Sequence, residues 1–219
     1  MEVEIKYKPS FATLFVRLVK GSSIVAESDA MVSMTPNVDI QTRMNGNFIS
    51  ALLRKFFGNE SFFINEFSLK NGAEGKLVLS QPVPGDIVEI NLENSSMYLQ
   101  PGAYIASEPT VKLNLSWAGF KSWWSGEGLF RLMVNGTGKV WLGGYGGVFS
   151  KEVDGEYIVD TGHLLAYEPT MALNIGLAAG VFSSFFGGEG FVSKMQGKGK
   201  ILLQSRSIDG LASWTRGQI

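Results

Sequence analysis

The sequence predicts an all-β protein, and three observations carry that prediction. Short segments of alternating apolar and polar residues recur along the chain, as expected of strands with one buried face. Glycine is abundant, at 27 of 219 residues, which points to many tight turns and short strands. Above all, one block of sequence occurs three times. Ser22 to Pro36 aligns without a gap on Ser95 to Pro109 and again on Gly155 to Pro169.

The elements follow in order. Two N-terminal strands are expected, at about residues 2–7 and 12–19. After each block-ending proline (Pro36, Pro109, Pro169) comes an alternating strand, beginning at Val38, Val111 and Met171. Next stands an aromatic pair followed by a turn that carries glutamate: Phe56, Phe57 and Glu60; Trp123, Trp124 and Glu127; Phe185, Phe186 and Glu189. A further strand leads to a Gly-Lys pair (Gly75-Lys76, Gly138-Lys139, Gly199-Lys200), read as a hairpin turn that opens the last strand of the unit. The chain is thus expected to be one compact unit over 1–219. Strands 2–19 precede repeat 1 at 22–92, and repeats 2 and 3 occupy 95–153 and 155–210. Each repeat is a small sandwich or barrel-like module. Because about sixty residues make a marginal core alone, three copies should share apolar faces around a pseudo-threefold axis.

Composition removes several functions. Hydrophobic residues make up 45% and charged residues 18%, so a packed core is expected and disorder is not. The formal net charge of −1 lacks the footprint of a general nucleic-acid binder. No cysteine is present, which excludes disulfides, thiol nucleophiles and cysteine zinc sites. The N-terminus lacks the apolar core of a signal peptide, and a cytoplasmic protein is expected. The uncharged run from Pro169 to Gly188 imitates a membrane span in length. Its period-two pattern suits a strand, and the equivalent slots carry Asp39, Arg43, Arg54 and Lys55, or Lys112 and Lys121.

Several sequence blocks together resemble a known family. Pro9-Ser-Phe-Ala-Thr-Leu14, Pro84-Gly-Asp-Ile-Val88, Tyr98-Leu-Gln100, Gly126-Glu-Gly-Leu-Phe130, Val159 to Ala166 and Gly187-Gly-Glu-Gly190 are similar to the altered-inheritance-of-mitochondria protein 24 family, over about residues 3–214. The resemblance implies a fold like the trp RNA-binding attenuation protein (TRAP), a short variant of the double-stranded β-helix. It implies little about activity. Mitochondrial members are associated with inner-membrane organisation, a role not carried over because the chain shows no mitochondrial presequence.

Candidate chemistry is sparse. His163 is the lone histidine, and its counterparts Ala30 and Ala103 show that the unit does not require an imidazole there. Asp160, three residues earlier on a strand, would point to the opposite face. Glu60, Glu127 and Glu189 read as acceptors for turn amides rather than a cation site. The Gly-Lys pairs are followed by Leu77, Val140 and Ile201 in strands, not by the Ser or Thr and helix of a phosphate loop. No cofactor or metal site is expected. The aromatic connections form the candidate interaction surface: Phe56, Phe57, Trp123, Trp124, Phe185 and Phe186, with a short amphipathic helix expected over 49–57. The expected function is a non-enzymatic binding or scaffold protein that associates with itself and with an unknown protein partner. RNA binding by fold analogy, peripheral membrane contact, and an enzyme built on carboxylates and His163 are the alternatives.

Overall fold

The computed structural model describes residues 1–44, 63–117, 130–177 and 191–217. Within them the chain is predominantly β. Strands β1 (Glu2–Lys6), β2 (Thr13–Val19), β4 (Met31–Met34) and β7 (Glu74–Ser80) form an antiparallel sheet in the order β1-β2-β7-β4. A second sheet has eleven strands. They are β3 (Ser23–Glu27), β5 (Val38–Met44), β6 (Phe63–Leu69), β8 (Gly85–Leu99), β9 (Tyr104–Ser107), β10 (Val111–Trp117), β11 (Phe130–Tyr145), β12 (Val148–Asp160), β13 (Leu164–Tyr167), β14 (Met171–Leu177) and β15 (Phe191–Gln204). Their order is β12-β15-β13-β8-β11-β9-β3-β6-β5, with β10 on β11 and β14 on β15. The first nine residues of the run that imitates a membrane span therefore include strand β14.

The recurring sequence blocks make a recurring clamp. The residue before each proline (Thr35, Glu108, Glu168) donates its amide to the carbonyl of the lysine in the Gly-Lys pair, at 2.9, 2.9 and 3.1 Å. The lysine amide returns the bond. Lys76 donates to Thr35 Oγ1 at 3.0 Å, Lys139 to Glu108 Oε2 at 3.0 Å and Lys200 to Glu168 Oε2 at 2.9 Å. The glycine is needed because the clamp closes over it. A Cβ at Gly138 would stand 2.6 Å from Thr110 Oγ1 and 2.8 Å from Glu108 Oε2, and one at Gly199 would stand 2.6 Å from Thr170 Oγ1.

None of the three Gly-Lys pairs is a hairpin turn, which corrects the sequence expectation. In the first copy Gly75-Lys76 lies inside β7, after the bend at 70–73, and β6 and β7 belong to different sheets. In the other two copies the glycines lie inside the continuous strands β11 and β15. Positive φ at Gly136 (121°) and Gly138 (143°) produces a bulge that bends β11 without reversing it. The boundaries drawn from sequence between repeats likewise fall inside β8 and β12, at the left-handed Asn94 and Gly155.

The C-terminal helix α1 (Ile208–Arg216) also differs from the all-strand expectation. Its signals are local: Ser207 caps it by accepting from the Gly210 amide, Asp209 stands in the first turn and Arg216 in the last.

Apolar side chains gather in three clusters, around Leu79 and Trp141, around Leu99 and Leu142, and around Met195 and Ile201. Two sheet junctions link them. Strand β3 pairs with β9 (Val25 opposite Ser107, Ala26 opposite Ala106), and β8 pairs with β13 (Tyr98 opposite Tyr167, Leu99 opposite Ala166). Among the described residues no strand of 148–204 pairs with a strand of 2–80, so the sheets are open.

Candidate functional site

His163 ends a single 3-10 turn, Thr161–His163, between β12 and β13. Its ring Nδ1 lies 2.8 Å from the carbonyl of Gln204. A carbonyl only accepts, so Nδ1 carries the proton and Nε2 is left as the basic nitrogen. The Gln204 side chain ties the same turn to β11: its Nε2 donates to Gly162 O at 2.8 Å, and its Oε1 accepts from the Tyr145 amide at 2.9 Å. Asp160 does not orient the ring. Its Oδ1 accepts from the Gly162 amide at 2.8 Å, and so caps the turn.

An open cleft of about 560 Å³ adjoins this turn, lined by Tyr145, His163, Arg206, Ser207, Leu211 and Trp214 among others. The serines at its rim are engaged with main chain. Ser205 Oγ accepts from the Gly147 amide at 2.9 Å and Ser207 Oγ from the Gly210 amide at 3.1 Å. Among the described residues no group of three His, Cys, Asp or Glu side chains is placed to hold a metal.

The aromatic pairs Phe56 and Phe57, Trp123 and Trp124, and Phe185 and Phe186 lie outside the described residues, as do Glu60, Glu127, Glu189 and the helix expected over 49–57. The strand pairs that flank these connections end at Met44 and Phe63, Trp117 and Phe130, and Leu177 and Phe191.

Two apolar surfaces are absent from the sequence reading. The first is β4. Its counterparts β9 and β13 are buried at every residue, whereas all four residues of β4 are exposed. Val32 is 61% exposed, while Ile105 and Leu165 at the same position are 1% and 3% exposed. The end of β12 shows the same contrast, with Tyr157 at 37% against Ile24 at 0% and Met97 at 5%. The second surface is α1, where Ile208, Leu211 and Trp214 are exposed. The helical spacing of these three after the Ser207 cap could have revealed it.

Comparison with known proteins fits this fold. The family description "Mitochondrial biogenesis AIM24" matches residues 3–206. The chain belongs to that family. An uncharacterised protein of Streptococcus pyogenes serotype M6 is 27% identical over 221 aligned positions, covering 97% of this chain and 88% of the relative. A Streptococcus pyogenes protein solved by X-ray crystallography superposes with a TM-score of 0.80 at 26% identity, covering 100% of this chain and 99% of that one. In this AIM24 protein Pro9, Gly85, Asp86 and His163 lie among the described residues. Asp86 is buried, accepts from the Ile87 amide at 2.8 Å and lies 3.5 Å from Lys8 Nζ. That carboxylate pins the strand start beside the N-terminal segment.

Proposed function

We propose that this AIM24 protein is a non-enzymatic binding or scaffold protein that associates with itself in the cytoplasm. One observation carries the reading: every residue of β4 is exposed, in a position that is buried in both of its counterparts. An exposed apolar edge strand is a template for pairing with another chain. The polar residues of the His163 turn support the same reading, since each described hydrogen bond there holds main chain.

The proposal includes three related modules of the TRAP-like, short double-stranded β-helix type. The clamp repeated at Thr35, Glu108 and Glu168 supports it. Closure about a pseudo-threefold axis would need a third junction, between β4 and the end of β12. Light scattering over a range of protein concentrations tests the reading: self-association is expected, and a chain that stays monomeric throughout would overturn it.

A second reading, peripheral membrane contact, is favoured by α1. Its exposed Ile208, Leu211 and Trp214 stand with Arg216, a combination suited to an anionic interface. Among the described residues no helix is long and apolar enough to cross a membrane.

A further inference from the structure

We propose that β4 of one chain pairs antiparallel with the Tyr157–Asp160 end of β12 in a second copy, with Met34 opposite Ile158 and Ser33 opposite Val159. The inference rests on the self-associating reading above and specifies its surface and register.

Both junctions inside the chain join the same two segments of the repeat. Under the ungapped alignment Val25, Tyr98 and Ile158 share one position, and Ser107, Tyr167 and Met34 share another. The first junction sets Val25 opposite Ser107, and the second sets Tyr98 opposite Tyr167. The third pair of the series is therefore Ile158 with Met34. At the second junction the rings of Tyr98 and Tyr167 lie 5.2 Å apart between centroids, so this position packs side chains across the junction as well as main chain.

Both halves of the third junction are present, and both lack their neighbour. Among the described residues β12 pairs only with β15, and β4 only with β7. Ile105 and Ala106 of β9 are buried in one cluster with Ile24, Ala26 and Phe67 from the preceding module. Leu165 and Ala166 of β13 are buried in one cluster with Met97 and Leu99. The exposed Val32, at the position of Ile105 and Leu165, is what such a residue becomes when the preceding module is missing. A second copy supplies that module, because its β12 end is the segment type that covers β9 and β13. Such a contact is head-to-tail, since each chain offers β4 at one end and β12 at the other.

The chain contains no cysteine, so introduced thiols report without background. Opposed residues of an antiparallel pair have Cα atoms about 4.5–5.5 Å apart, a separation a disulfide spans. Chains carrying Ile158→Cys and chains carrying Met34→Cys are mixed under oxidising conditions and analysed by mass. A covalent dimer in the mixture, absent from either variant alone, is expected. If the parent associates but the mixture of folded variants gives no such dimer, this surface is wrong while self-association stands. A strictly monomeric parent overturns both. A chain carrying both cysteines that forms its bond within one molecule overturns the second copy in favour of ring closure. Val32→Lys is an independent check: the substituted chain should keep its β-type circular dichroism and lose association, and association equal to the parent overturns the proposal.

Discussion

The hydroxyl of Tyr104 donates to the carbonyl of Val25, 3.2 Å away and 79 positions earlier in sequence, and so bonds β9 across the junction to β3. Ser107 Oγ lies 2.9 Å from the same hydroxyl and, with the phenol proton on Val25, acts as its donor. The junction thus carries a buried polar link inside an apolar cluster.

Tyr104→Phe removes that link and should lower stability by about 1–2 kcal/mol, measured by denaturant unfolding. The same residue predicts an alkaline effect. Burial raises the Tyr104 phenol well above its ordinary value of 10.0, the Ser107 bond opposes this, and the Glu27 charge adds to it. Above pH 10 the unfolded chain loses this proton while the folded chain keeps it. Stability therefore falls as pH rises through the ordinary value. Tyr104→Phe should flatten the decline in unfolding midpoint at high pH.

Gly138→Ala should destabilise the chain by about 1–3 kcal/mol. The residue sits at φ 143°, and its Cβ would meet Thr110 Oγ1 and Glu108 Oε2. Gly155→Ala provides the contrast, because Gly155 has positive φ but nothing within 4 Å of an added Cβ. The Gly155 variant should unfold at a higher denaturant concentration than the Gly138 variant.

Glu168→Ala leaves the Lys200 amide without its side-chain acceptor, which should cost about 1–2 kcal/mol. Glu168→Gln keeps an oxygen at the same reach and should recover most of the loss. Hydrogen exchange at the Lys200 amide should accelerate in the alanine variant and not in the glutamine variant. Equal exchange in both would show that the carboxylate does not hold the clamp.

Trp214→Ser tests the membrane reading. Flotation with anionic vesicles should recover the parent chain and lose the variant, while circular dichroism stays β-type. A parent chain that never floats would dismiss the helix as a membrane contact.

The sequence by itself determined the strand content and the position of the clamp. Alternating apolar residues declare a strand because one face must be buried, and the Pro-ended and Gly-Lys blocks recur with the same pair of hydrogen bonds, returned by a threonine hydroxyl in the first copy and a glutamate carboxylate in the other two. It reads His163 as structural or incidental, through Ala30 and Ala103 at the same position. The hairpin reading of the Gly-Lys pairs failed because a glycine with positive φ serves a turn and a bulge equally, and only the strand pairing of β11 and β15 separates the two. Which copy of an apolar strand is covered was decided by tertiary structure alone. Val32, Ile105 and Leu165 are equally apolar in sequence, but β3 pairs with the strand of Ile105 and β8 with the strand of Leu165, and no described strand other than β7 pairs with the strand of Val32. Burial depends on the neighbour a segment meets, and a recurring sequence block encodes the segment without encoding that neighbour.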